Sequence, residues 1–235
     1  GLLEEIYGGS QPINGQYRTP SKIITKLIRI GDKMGVNDMA SAFSGHTLLS
    51  EIVPGALDGC YKVKRFSSIF SSTSITNIPV GLFDKCTEAK SFDFAFNGCK
   101  KLSSIPEGLF DKCTEVTNFG GTFHACISIQ TIPEGLFDHN TKVTSFMGYS
   151  SHYYGCFSSC LSLQSIPEGL FDNCTEVTDF GKTGDNNNNG IFALTNISAI
   201  PEGLFDKNTK VTSFNGAFSK CNNLLAIPEG LFDNC

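Results

Sequence analysis

Residues 105–111 read Ile105-Pro106-Glu107-Gly108-Leu109-Phe110-Asp111, and the same phrase returns at Ile132, Ile166, Ile200 and Ile227. A variant, Ile78-Pro79-Val80-Gly81-Leu82-Phe83-Asp84, precedes them. From Ile78 onward the spacings are 27, 27, 34, 34 and 27 residues. A weaker copy, Ile52-Val53-Pro54-Gly55-Ala56-Leu57-Asp58, stands 26 residues upstream of Ile78. Met39 and Phe43 align with one more, partial unit. Self-similarity at a fixed period of this size marks an array of stacked units.

Outward from the phrase, the apolar positions of one unit are Leu109, Phe110, Cys113, Val116, Phe119, Phe123, Cys126, Ile129 and Ile132. They divide the unit into halves of 13 and 14 residues. A lone half buries too little to offset its ordering entropy. A coil made of both halves buries a continuous column once it stacks on its neighbours. The period therefore predicts a solenoid of about seven coils, roughly 30–35 Å long at a strand spacing of ~4.8 Å. Val116-Thr117-Asn118-Phe119 and Ile129-Gln130-Thr131-Ile132 predict short parallel strands, stacked as two narrow sheets. Pro106 to Asp111 predicts a short helical turn, with Pro at its first position and Glu in its first turn. Residues 1–35 are read as an irregular segment and a capping helix, the latter from helical spacing over Ser21 to Gly31. Residues 36–235 are read as the solenoid, with an incomplete last coil.

The ten cysteines follow the same period. One column runs Cys60, Cys86, Cys113, Asn140, Cys174, Asn208, Cys235, and the other His46, Thr73, Cys99, Cys126, Cys160, Thr195, Cys221. Cys exchanges with Asn and Thr, so the position asks for a small inward hydrogen-bond donor. Side chains in parallel register do not present disulfide geometry, and the nine ladder cysteines are expected to be free and buried. Cys156 lies outside both columns and is read as a surface thiol or a partner of Cys160. No Cys-x2-Cys pair seeds a zinc site.

At this point a resemblance emerges. Pro-x-Gly-Leu-Phe-Asp-x-Cys-Thr-x-Val resembles a segment of extracellular leucine-rich repeats. The stretch Val211-Thr212-Ser213-Phe214, continuing to Phe218, Cys221 and Leu224, is similar to the BspA-like leucine-rich repeats of bacterial surface proteins. The likeness covers residues 36–235. It implies a leucine-rich-repeat solenoid whose ladder donors satisfy backbone carbonyls at tight bends. It also implies a secreted or surface-attached bacterial protein used for adhesion or host interaction.

Function is expected where the repeat is interrupted, because the scaffold does not need the extra residues. Two consecutive coils carry seven-residue insertions at the same phase, so both should emerge side by side as one ridge. The first, between Phe146 and Phe157, holds Tyr149, His152, Tyr153 and Tyr154. These suit contacts with a protein or glycan, or pack on one another to steady the loop. The second, between Phe180 and Phe192, holds Lys182 and Asp185. Its Asp185-x-Asn187-x-Asn189-Gly190 matches the opening of a Ca²⁺ loop, although Asn196 stands where a bidentate Glu is needed. An Asn/Gly-rich turn loop is the plainer reading.

Other patterns are read as structural. The Asp column (Asp111, Asp138, Asp172, Asp206, Asp233) is expected to accept local backbone N–H bonds, with Lys112 and Lys207 compensating its charge. The four histidines are far apart in phase, and no nucleophile is paired with a base, so an enzyme is not expected. The net charge of −5, with scattered Lys and Arg, excludes a nucleic-acid partner. No run of the roughly 20 apolar residues needed for a membrane span occurs. Gly1-Leu2-Leu3 leads into Glu4-Glu5, unlike a signal peptide, although a start at Gly is compatible with one already removed. The uncapped coil at Cys235 predicts a longer parent chain or end-to-end self-association. The sequence thus points to a binding protein, with a structural stalk as the alternative.

Overall fold

The computed structural model describes residues 24–30, 35–148, 154–181 and 189–235. The described coils stack on one another, joined by one continuous column of parallel bridges. These join Asp38 to Arg65, Arg65 to Ser91, Ser91 to Asn118, Asn118 to Ser145 and Ser145 to Asp179. At the far end the column widens into a parallel pair, β3 (Asp179–Gly181) with β4 (Ser213–Phe214). The paired segments stay short because a side-chain oxygen bends the chain at once. Asn118 Oδ1 accepts the Gly120 N–H at 2.6 Å. Ser145 Oγ accepts Met147 N–H at 3.0 Å, and Ser91 and Asp38 act alike. Such turns offer the backbone an alternative to a longer strand.

Among the described residues the second expected sheet is seen only at the first coil, where β1 (Lys26–Leu27) pairs in parallel with β2 (Glu51–Ile52). Further along, that side carries isolated coil-to-coil bonds, such as Ser103 N–H to the Thr76 carbonyl at 3.2 Å.

This pairing corrects the capping-helix expectation. Among the described residues there is no helix, and residues 24–30 are extended. Leu27 and Ile30 are buried, and Lys26 pairs with Glu51 at 2.6 Å. A helix satisfies its own backbone and would leave the first coil's edge unpaired. The extended segment accepts Val53 N–H at the Leu27 carbonyl and donates Ile30 N–H to the Ala56 carbonyl. The helical turn at Pro106–Asp111 is likewise replaced by tight turns. Gly108 has φ +66, outside the right-handed helical region, and Asp111 N–H closes back on the Gly108 carbonyl.

The core is built around three phenylalanine columns, packed with Leu, Ile and Val side chains. Phe66, Phe92, Phe119, Phe146, Phe180 and Phe214 form one. Phe83, Phe110, Phe137, Phe171, Phe205 and Phe232 form the second. Phe43, Phe70, Phe96, Phe123, Phe157, Phe192 and Phe218 form the third. Successive rings lie near-parallel, for example 5.5 Å apart for Phe96 and Phe123. Rings of different columns meet tilted or edge-on, as Phe83 does with Phe92 at 4.7 Å. Both arrangements suit the ring quadrupole. Each fully buried ring contributes ~1.5–3 kcal/mol.

The two polar ladders flank these columns. Cys99, Cys126, Cys160 and Cys221 each donate S–H to a phenylalanine carbonyl of the preceding coil at 3.1 Å. In the other ladder, Asn140 Nδ2 reaches two carbonyls, those of Phe110 and Cys113, at 3.2 and 2.9 Å. Asn208 does the same toward Phe171 and Cys174. All ten cysteines are free thiols, and only Cys235 is exposed. Burial pushes the Cys60 and Cys99 thiols up to about 11, and Cys113, Cys160 and Cys174 up to about 12. They therefore remain protonated donors.

Cys156 is neither a surface thiol nor a partner of Cys160. It is wholly buried, at the coil position held by Ala95 and Thr122 in the preceding coils. The Asp column also departs from expectation. Its carboxylates turn back over the glycine three residues before, where a Cβ on Gly81, Gly108, Gly135 or Gly203 would lie 3.0–3.1 Å from Oδ2. The His139 ring lies 3.5 Å from Asp111 across the coils, and the cross-coil ion pairs Lys142–Glu115 and Lys210–Glu176 run on the neighbouring strip; among the described residues no ion pair joins Lys112 or Lys207 to the Asp column.

Candidate binding surface at the insertions

Each insertion leaves the coil just after a first-column phenylalanine and returns beside it. In the first, Met147 and Gly155 form an antiparallel bridge, Gly148 N–H bonds to the Tyr154 carbonyl, and Cys156 N–H to the Phe146 carbonyl. The second repeats the closing bond, from Ile191 N–H to the Phe180 carbonyl at 2.9 Å. The two bases touch: Gly155 N–H donates to the Asn189 carbonyl at 2.8 Å. Equal phase in adjacent coils thus sets the bases of the two insertions side by side.

Glycines make that contact possible. A Cβ on Gly155 would lie 2.4 Å from the Gly190 carbonyl oxygen, and one on Gly190 would lie 2.4 Å from Ala217 Cα. At Gly181 it would lie 1.9 Å from the Asn215 carbonyl oxygen, and at Gly120 2.3 Å from the Met147 backbone. The obstacles are backbone atoms, which have little freedom to yield.

Beside the first insertion lies an aromatic corner. Phe94 is the one phenylalanine of twenty outside the three columns. It is partly exposed, and its φ of 53 is in the left-handed region, costly for a bulky residue. Its ring crosses two glycines: a Cβ on Gly121 would lie 2.4 Å from its Cε1, and one on Gly148 2.3 Å from its Cζ. The Tyr154 ring meets it at 90°, with centroids 6.4 Å apart. Tyr154 in turn stacks on His124 at 3.8 Å and 9°.

His124 Nδ1 lies 3.0 Å from the Ser158 carbonyl and 2.7 Å from Ser158 Oγ, which itself donates to the Gly155 carbonyl. The ring therefore carries its proton on Nδ1. Burial lowers the His124 pKa to about 4, so the imidazole is neutral at ordinary pH. Asp93, next to Phe94, turns its Oδ2 away to Ser91 and Ser67 at 2.7 and 3.2 Å. Desolvation raises its pKa.

No protein-family profile and no curated protein matches the sequence. Among solved structures, the chain is similar to the Toll–Spatzle complex of Drosophila, with 19% identity and a TM-score of 0.47, over 88% of this chain and 25% of that one. It is similar to the LRIM1/APL1C complex at 10% identity and a TM-score of 0.47, over 74% of this chain and 33% of that one. It is also similar to the LRR ectodomain of the receptor kinase GASSHO1/SCHENGEN3 from Arabidopsis thaliana, at 15% identity and a TM-score of 0.43, over 75% and 19%. The chain thus spans about a third or less of these proteins' length.

Of the residues singled out in the sequence, Tyr154 and Asn189 fall among those described. Tyr154 is in the aromatic corner, and the Asn189 carbonyl is engaged by Gly155. Tyr149, His152, Tyr153, Lys182, Asp185 and Asn187 lie outside the described residues. Among the described residues no group of His, Cys, Asp or Glu is placed to hold a metal, and no helix is long and apolar enough to cross a membrane. Sequence reasoning missed Phe94 and His124. Phe94 was identifiable as the phenylalanine out of phase with its repeat. His124 had no such signal, since its partners come from the next coil.

Proposed function

We propose that the chain is a leucine-rich-repeat recognition module, non-enzymatic, that binds a protein or glycan through the insertion side of the solenoid. The observation that carries this reading is Phe94. Nineteen rings are spent on the columns, whereas this one stands outside them, partly exposed, against two glycines of later coils, at a left-handed position that Ser41, Ser68, Gly121 and Gly216 hold in other coils. Tyr149, His152, Tyr153, Lys182 and Asp185 belong to the reading as ridge residues, and a Ca²⁺ ion at Asp185, Asn187 and Asn189 is its weakest part. The resemblance to BspA-like repeats supports a secreted or surface-attached location and an adhesive role.

The competing reading is a structural stalk. The ladder bonds and cross-coil ion pairs favour it, because they join the coils without serving a ligand. Self-association fits either reading.

The test is binding of the chain to arrayed matrix proteins, mucins and glycans, with and without Ca²⁺. A variant with residues 149–153 and 182–188 replaced by short turns runs beside it. Recognition predicts a ligand that the intact chain binds and the trimmed, folded variant does not. Binding by neither would favour the stalk, and equal binding by both would move the site off the ridge.

A further inference from the structure

We propose that the corner formed by Phe94, Tyr154 and His124 is a subsite for an uncharged sugar ring. The inference rests on the recognition reading above and names a ligand class for the part of that surface whose side chains are placed.

The first support is the flat ring. Backbone at Gly121 and Gly148 lies against the Phe94 ring, and the side chain stays partly exposed. One face of a pyranose is a layer of C–H bonds with partial positive charge, and the negative face of an aromatic ring attracts it. The second is the wall. Tyr154 stands at 90° to Phe94, with the ring centroids 6.4 Å apart. Aromatic groups meeting at a right angle hold such a ligand by one face and one edge.

The third support is polarity without charge. His124 has its Nδ1 proton committed to Ser158. Its Nε2 is thereby left as a neutral acceptor, which a sugar hydroxyl can use. The lowered pKa keeps it so down to about 4. Asp93 engages its Oδ2 with Ser67 and Ser91. A few oriented polar groups on an apolar lining are how small-ligand sites are generally built. An aliphatic peptide side chain would use the rings but not the acceptor.

The test is titration of the full chain with methyl α-mannoside, methyl β-galactoside, N-acetylglucosamine and their trisaccharides, followed by saturation-transfer NMR and calorimetry. A proline-rich peptide serves as the alternative probe. Phe94→Leu keeps an apolar side chain over the glycines but removes the π face, whereas Phe94→Tyr keeps it. The proposal expects at least one saccharide to bind, at least tenfold weaker binding for Phe94→Leu, near-native binding for Phe94→Tyr, and native thermal midpoints for both. Should Phe94→Leu unfold, Tyr154→Leu takes its place with the same expectation. Sugar binding unchanged by loss of either ring would overturn the subsite. So would binding of the peptide alone, with an arrayed partner still lost on trimming, and recognition would then stand without the sugar. Binding of no saccharide, no peptide and no arrayed partner would end both readings.

Discussion

At the residue scale the ladder positions decide how the coils are joined. Asn140 satisfies two carbonyls of the preceding coil but leaves its own Oδ1 buried without a partner. Cys113, one coil earlier, reaches its two carbonyls only at 3.7 and 3.6 Å and orphans nothing. Gain and loss nearly cancel, which explains why one column tolerates both residues. Asn140→Cys should therefore change stability by less than ~1 kcal/mol in urea titrations, whereas Asn140→Ala strands two carbonyls and should cost ~2–4 kcal/mol. A second residue effect has an unusual sign. The position before the second ladder is left-handed throughout: Gly45, Ser72, Gly98, Ala125, Ser159, Leu194 and Lys220 have φ between 55 and 74. Ala125→Gly, normally destabilising, should stabilise by ~0.5–1 kcal/mol in the same assay, because the Cβ penalty there exceeds the entropy gained by the unfolded chain.

At the element scale, what was legible in the sequence was whatever repeats. The coil, both ladders and the equal phase of the insertions follow from the spacing of Phe, Cys and Pro. What was not legible depends on a neighbouring coil. Ser21 to Gly31 has helical spacing, yet residues 24–30 are extended because the edge of the first coil supplies backbone partners that propensity does not see. Cys156 read as a loop residue because the insertion obscured its register, and the coil position it fills is a buried one. The glycines at the insertion bases carry a direct prediction. Gly181→Ala places a Cβ 1.9 Å from the Asn215 carbonyl oxygen and should force the insertion away from its neighbour. We expect a loss of at least 2 kcal/mol, read by thermal melts, together with loss of partner binding. A substitution at Gly35, with nothing within 4 Å of its Cβ, should do neither.

At the scale of the whole molecule the buried thiols set a pH limit. Their folded pKa values, about 11 for Cys60 and Cys99 and about 12 for Cys113, Cys160 and Cys174, lie above the ~8.5 of an unfolded thiol. A raised folded pKa means a contribution that is intact below the unfolded value and lost as pH rises toward the folded one. Stability should therefore hold between pH 7 and about 8. Above ~9 each such thiol should remove up to ~1.4 kcal/mol per pH unit. Urea titrations from pH 7 to 10 check this, and a flat profile would show that the thiols are not buried donors. In the native protein a thiol reagent should modify Cys235 readily and the other nine slowly.

Recognition through the insertion side is the central claim, and hydrogen exchange on the chain with its arrayed partner bound tests it most directly. The account predicts new protection at the backbone of residues 94–95, 120–125, 147–148, 154–157 and 189–192, with the turns around Gly108, Gly135 and Gly169 unchanged. Protection confined to those turns, or a bound partner that leaves exchange at the insertion bases untouched, would contradict it.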